Sequence, residues 1–402
     1  MKKSTHNTTP IYSILLALSL AHCLNDTMQS VVSAIYPLLK ENLSLNFAQI
    51  GAITLTYQIS ASIFQPICGY VFDKKPASWF LPVGLLFTMI GLLMISISTS
   101  LEMLICAVFF SGIGSSVLHP EASRLTSMSA GTHKGLAQSI FQVGGSTGYA
   151  LGPLLAAIFV SPYGQKNVAI FSVCAFVAII GLLPVCRWYA RKIKDNTIIG
   201  KPLTQASTGK PLPKRIVYTT LAILIFLVFT KNSYTVSISN YYTFYLMQKF
   251  SVSVEASQIM LFAFLLAGAA GTLLGGPIGD KIGRRLVIWW SILGAAPFAL
   301  LLPYANLTWT VILSMVTAFV MSSAFSAILI YAQELFPKNV GMISGLFFGL
   351  AFGVAGIMSA VLGNVADAFG LDFVYKAVAL FPITGIVAYF LPRVRTLQKM
   401  RE

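Results

Sequence analysis

Apolar residues in this chain gather in long runs separated by short polar breaks. A bilayer core about 30 Å thick is crossed by roughly 20 apolar residues in a helix. Twelve runs meet that length, give or take a few residues at each edge. The first six are Ile11–Leu39, Phe47–Phe72, Trp79–Thr99, Leu101–Met128, Gly135–Ser161 and Val168–Trp188. The second six are Ile216–Leu246, Ala256–Gly279, Leu286–Tyr304, Trp309–Leu335, Val340–Ala366 and Phe373–Leu391. The pattern predicts an all-α membrane protein with twelve transmembrane helices. The longest polar stretch, residues 191–215, is basic and contains Pro and Gly. It reads as a linker between a six-helix half at 1–190 and a second at 216–402. MKKS before the first run has the look of a signal peptide. The run lacks a small-residue cleavage site and contains Asp26, so it is expected to stay as the first span.

Composition agrees. Of 402 residues, 56% are hydrophobic and 10% charged, against about 25% charged in a soluble domain. The net charge of +15 could suggest nucleic acid, but its distribution argues otherwise. With both termini in the cytoplasm, 21 of the 27 Lys and Arg fall on the cytoplasmic side, 4 outside and 2 within spans, Arg124 and Lys231. That bias is the positive-inside pattern and needs no nucleic-acid partner. The five cysteines lie in or beside apolar runs without CxxC spacing, so they read as small buried hydrophobes rather than metal or redox groups. No metal or cofactor is expected.

The halves repeat. Gly135, Phe141 and Gly164 bracket the fifth span, and Gly341, Phe347 and Gly370 bracket the eleventh, each 206 residues later. Asp73 follows the second span and Asp280 the eighth, 207 residues later. Two parallel repeats suggest alternating access around a site between them. Shifting Asn25 and Asp26 by 206 residues lands on Lys231 and Asn232. The pair Asp26 and Lys231 is therefore expected to face one central cavity, as a functional pair or a static one.

Ionisable groups inside spans are costly and usually mark a pathway. His22, Asn25, Asp26 and Gln29 share one helix face. His22 is about 16 Å and Asp26 about 22 Å along the first helix. The face lines a cavity or forms a helix–helix hydrogen-bond network. Asp26 is the candidate proton carrier, assisted by His22, and a carboxyl needs desolvation to titrate near neutral pH. The fourth span ends SSVLHPEASRL. His119 is about 27 Å along it, which suggests a cytoplasmic vestibule with Ser115, Ser116, Glu121, Ser123 and Arg124. Glu121 is a second proton-coupling candidate. Lys231, Arg124, His119, Asn25, Gln29, Asn232, Tyr234 and Tyr241 are the candidate substrate-binding groups, although Arg124 also fits a positive-inside anchor and the tyrosines an interfacial belt.

The stretch GPIGDKIGRR carries Gly276, Asp280, Gly283, Arg284 and Arg285 and resembles the signature loop of the major facilitator superfamily. Asp280 can face a helix N-terminus, and the arginines anchor the turn. Gly69, Asp73 and two lysines keep part of it in the first half. Glu334 could bridge Arg284 or Arg285, or sit in water. In the fifth span Gly144, Gly148 and Gly152, with Pro153 next, resemble the superfamily's antiporter motif. A glycine stripe also serves plain close packing. Where many drug exporters of the superfamily carry an arginine four residues before Gly112, this chain has Val108.

LNDTMQS, AIYPLL, GSSVLHPEASR, GLAQSIFQVGG and YYTFYLMQKF together resemble the fosmidomycin-resistance family of bacterial transporters over nearly the whole chain. The resemblance implies a bacterial inner-membrane antiporter, exporting fosmidomycin or a similar small anionic drug against protons. Fosmidomycin is a phosphonate with a hydroxamate. The expected partners are that drug, protons and the lipid bilayer, with the monomer as the working unit. An organic-anion or nutrient importer would share the fold. No HExxH, GxSxG or paired-aspartate motif supports an enzyme.

Overall fold

The computed structural model describes residues 9–45, 47–160, 162–195, 212–393, 396–397 and 400. Most of the expected linker lies outside the described residues. The described chain is helical throughout, with no strand.

The first span is α1 (Tyr12–Ala34), continued by the short α2 (Tyr36–Asn42). The second to fifth are α3 (Phe47–Lys74), α4 (Phe80–Ile97), α5 (Leu101–Ser129) and α6 (Lys134–Phe159). A 3-10 segment, Gln165–Phe171, runs into α7 (Ser172–Lys194) as the sixth. The second half opens with α8 (Lys214–Phe250) and α9 (Val254–Ile282). Its third span is broken into α10 (Arg284–Leu293) and α11 (Ala296–Leu301), its fourth into α12 (Leu307–Ser322) and α13 (Ala324–Leu335). Then come α14 (Val340–Phe369), α15 (Leu371–Val378) and a 3-10 segment, Phe381–Phe390. Twelve membrane crossings in two six-helix halves result.

Nine of these crossings are both long and apolar enough to span a membrane among the described residues. The other three are α1, α3 and α6, with 23, 28 and 26 residues. They are long enough, and their lower apolarity has a structural cause. All three face other helices: α1 packs along α6, α3 along α14, and α6 along α9. Their polar residues lie where helix meets helix, and that dilutes the lipid signal.

The halves meet through α3 with α14 and α6 with α9. Small residues set the approach. A Cβ on Gly69 would strike the backbone of Gly341, and one on Gly135 the backbone of Gly276. The two close approaches are related by the repeat. Both lie at the face carrying the loops that contain Lys75 and Gly283, called here the basic face. Replacing Gly276 by Ala should push α9 off α6 there. Ser139 Oγ, which accepts from Gly276 N at 3.1 Å, is 3.2 Å from Ser326 Oγ across the adjoining contact of α6 with α13. In a cysteine-free background, a Ser139→Cys/Ser326→Cys pair should crosslink readily, and adding Gly276→Ala should cut the yield severalfold.

Candidate functional site

A cavity of about 270 Å³ lies between the halves. The first half lines it with His22 and Asp26 from α1, His119 from α5, and Gln142, Gly145, Ser146 and Tyr149 from α6. The second half supplies Lys231, Asn232 and Thr235 from α8, and an apolar wall that includes Phe264, Phe325, Phe348 and Phe352. The first half thus brings a carboxylate and two imidazoles, and the second a lysine beside an aromatic wall.

Asp26 is held between two imidazoles. Its Oδ2 is 3.2 Å from His22 Nε2 and its Oδ1 is 3.4 Å from His119 Nε2. Asn25 Nδ2 donates to Oδ1 at 3.1 Å. His22 Nδ1 bonds the Phe141 carbonyl at 2.8 Å, and His119 Nδ1 the Ser115 carbonyl at 2.9 Å. His22 also stacks on Phe141, with ring centroids 4.2 Å apart. A ring nitrogen of His22, a ring nitrogen of His119 and a carboxylate oxygen of Asp26 converge within 4.8 Å of one another. His119 therefore sits at the depth of Asp26, where the sequence suggested a separate vestibule. The cause is length: α5 has 29 residues, about 43 Å at the usual rise, so a position deep in its sequence is still mid-membrane.

Lys231 faces the same cavity but makes no ion pair among the described residues. Its Nζ donates to Asn232 Oδ1 at 3.3 Å and lies 5.5 Å from the Phe325 ring centroid. Asp26 and Lys231 share a cavity without touching as a salt bridge.

Other expected groups lie elsewhere. Asn25 points at α4, where Thr88 Oγ1 approaches its Oδ1 at 3.5 Å, and neither it nor Gln29 lines the cavity. The His22-to-Gln29 stripe is divided between cavity and helix packing. Tyr234 is buried in the second half's own core. Tyr241 borders a separate surface pocket with Phe244 and Gly370. Arg124 is also remote from the cavity. Its Nε donates to Asp73 Oδ1 at 3.1 Å, Nη1 lies 3.5 Å from Glu121 Oε1, and it donates to the Tyr189 hydroxyl. That buried network occupies its guanidinium beside the Asp73 contact.

The two halves hold each other in a reciprocal clasp. Asp73 accepts from Gly341 N at 3.0 Å and Met342 N at 2.9 Å. Asp280 accepts from Gly135 N at 2.9 Å and Leu136 N at 3.1 Å. Each carboxylate caps the first turn of a helix in the opposite half, where free N–H groups and the macrodipole favour an anion. Arg284 joins Asp280 at 3.4 Å and Glu334 at 3.0 Å. Arg285 instead donates to the Tyr389 carbonyl at 2.5 Å. Gly283 has φ +97°, so the turn after α9 suits glycine.

Sequence reasoning missed a polar seal beside this clasp. Ser127 Oγ donates to Gln333 Oε1 at 2.7 Å, and Gln333 Nε2 to Ser344 Oγ at 2.9 Å. Ser123 Oγ is 3.2 Å from Ser344 Oγ. Serines and glutamines scattered over three helices carry no periodic signal, and only contact reveals them. Gly145 was also missed. A Cβ there would strike the His22 ring. The glycine stripe has a packing role: Gly144 and Gly148 let α6 sit on the α1 backbone at Ser19 and Cys23, and Gly152 on Ser30. Pro153 lies inside α6, next to that stripe.

The sequence profile of the Major Facilitator Superfamily matches residues 18–245 and 221–401. The chain belongs to the major facilitator superfamily. It is a multi-pass membrane transporter and not an enzyme. It is 52% identical to the fosmidomycin resistance protein of Escherichia coli over 389 residues, 97% of this chain and 95% of that one. It is 41% identical to an uncharacterized MFS-type transporter of Bacillus subtilis, covering 98% and 95% of the two chains. Its fold is similar to the proton:xylose symporter XylE at TM-score 0.75 and 15% identity, covering 99% of this chain and 100% of that one. The human organic anion transporter MFSD10 gives TM-score 0.70 at 14% identity, covering 95% and 100%.

Within this transporter, Gly145→Ala should displace His22 from Asp26. Overpacking of this kind costs about 1–3 kcal/mol. Transport should fall at least tenfold, in parallel with a lower melting temperature of the purified protein.

Proposed function

We propose that this transporter exports fosmidomycin or a similar small anionic antibiotic across the bacterial inner membrane, in exchange for protons, by alternating access of its two halves. The observation that carries the reading is Lys231, a cation on the cavity wall with no carboxylate within ion-pair range among the described residues. Holding an ion away from bulk water costs several kcal/mol. An anionic ligand that reaches Lys231 offsets this with a charge-assisted hydrogen bond. The 52% identity to a protein named for fosmidomycin resistance supports the substrate class. Cavity shape supports a small one, with the aromatic wall of Phe264, Phe325 and Phe348 against its carbon skeleton.

The phosphonate is assigned to Lys231, with Asn232 beside it. The hydroxamate hydroxyl is assigned to the Asp26 group as a donor. That assignment gives exchange the right sign. A bare anion near Asp26 would favour its protonation, and drug and proton would travel together. A hydroxyl that needs ionised Asp26 as acceptor competes with the proton instead. His22 orients and shares the charge of Asp26. Glu121 is assigned to the gate network, where its pairing with Arg124 links protonation to the Asp73 clasp. Both termini and residues 191–215 are placed in the cytoplasm, the boundaries 1–190 and 216–402 define the rocking halves, and the monomer suffices.

Cells expressing Lys231→Ala should lose resistance at least tenfold to anionic drugs, and Lys231→Arg should retain part of it. Unchanged affinity for the anionic drug in Lys231→Ala would remove the lysine from recognition. In proteoliposomes, Asp26→Asn should abolish drug movement driven by a pH gradient. Undiminished gradient-driven flux would remove Asp26 from coupling. The direction of counterflow under that gradient separates exporter from importer.

A further inference from the structure

The hydrogen bonds of the two cavity histidines fix where their protons are. Backbone carbonyls only accept, so Nδ1 of His22 donates to Phe141 O and Nδ1 of His119 donates to Ser115 O. Ser115 Oγ, 3.1 Å from His119 Nδ1, sits beside the same bond. A neutral imidazole has one N–H. In neutral rings both Nε2 atoms would therefore present lone pairs. Both lie within ion-pair range of Asp26, at 3.2 and 3.4 Å, His119 Nε2 is buried with no hydrogen-bond partner among the described residues, and an ionised carboxylate is acceptor-only. The arrangement would then contain two acceptor–acceptor contacts among groups only 3%, 0% and 8% exposed for His22, His119 and Asp26. One proton relieves one contact. A carboxylic acid has a single proton to donate, so relieving both takes two.

We propose that His22, Asp26 and His119 form a two-proton carrier, with His119 as the second proton site, and that each transport cycle exchanges two protons for one drug. The count per drug rests on the exporter reading above; the carrier itself does not. Loaded, the cluster has a net charge of +1; emptied, it is −1. The rings are covered from the opposite half. His119 packs 5.3 Å from both Phe348 and Phe352, and His22 6.4 Å from Phe348, centroid to centroid. Both phenylalanines belong to α14. Movement of α14 away from the first half uncovers both rings in one step, so the two protons load and leave together. Titratable neighbours come from several elements: Cys23 on α1, Tyr57 on α3, Tyr149 on α6 and Lys231 on α8. Among the described residues, α9, α12, α13 and α14 place no titratable side chain on the cavity wall.

The chain has 4 histidines, so 15N-histidine NMR of the full-length protein reads each ring. His22→Gln and His119→Gln assign the two signals. The expected result is that both Nδ1 atoms stay protonated at every pH and both Nε2 atoms gain a proton in one joint transition. Protonation of only one ring overturns the carrier. So does stoichiometric zinc in the purified protein with both Nε2 atoms unprotonated, since a divalent cation would neutralise the same contacts. In proteoliposomes with the membrane potential clamped at zero, the drug ratio at zero net flux should change about 100-fold per pH unit, against about 10-fold for one proton. A 10-fold ratio in the wild type overturns the two-for-one exchange. A wild type that moves no drug refutes the exporter reading, while the NMR result still decides the carrier.

Discussion

A charge within a bilayer has to find its partners inside the protein, and the described structure is arranged around two answers to that demand. At the basic face, Asp73 and Asp280 find theirs in the first-turn N–H groups of α14 and α6, each in the other half. In the centre, Asp26 finds two imidazoles from α1 and α5. The first answer ties the halves together through bonds that break when they separate. The second sets a buried carboxylate on the cavity wall opposite Lys231.

The clasp depends on glycine as much as on charge. Capping requires each carboxylate to lie within hydrogen-bond distance of a helix end, which is possible only because Gly69 meets Gly341 and Gly135 meets Gly276 backbone to backbone. Arg124 strengthens the first clasp and Arg284 the second, with different partners beyond. Arg124 is committed to Glu121 and Tyr189 in a buried network, while Arg284 reaches Glu334. The repeat thus preserves the latch and varies its support. A ladder of Ser127, Gln333 and Ser344 closes the same seam with neutral groups, whose hydrogen bonds are each worth about 1 kcal/mol net and so can open without a large penalty.

Residue by residue, legibility follows physics. Span number and length were readable because the bilayer imposes a length on every crossing. Asp26 and Lys231 were readable because a charge amid apolar residues stands out, and the 206-residue offset placed them at one level. Asp280 was readable from its glycine-flanked turn. Arg124 was misplaced because its position gives its depth but not its partners. Tyr234 was misplaced because a helix like α8 has one face on the cavity and another in the core, and periodicity does not say which. Gly145 was invisible because its meaning lies in a ring from another helix.

The sequence by itself therefore determined the twelve crossings, the two-fold repeat, the inventory of membrane-embedded charges and the resemblance to a transporter family. These follow from solvent: hydrocarbon filters composition locally, and the filter can be read along the chain. Only the tertiary structure decided that His119 joins His22 at Asp26, that Arg124 pairs with Asp73 and Glu121, and that Lys231 stands on the cavity wall without an ion pair among the described residues. Those outcomes depend on helix rotation and crossing, set by packing between segments distant in sequence, where a one-residue change of face exchanges a cavity position for a core one.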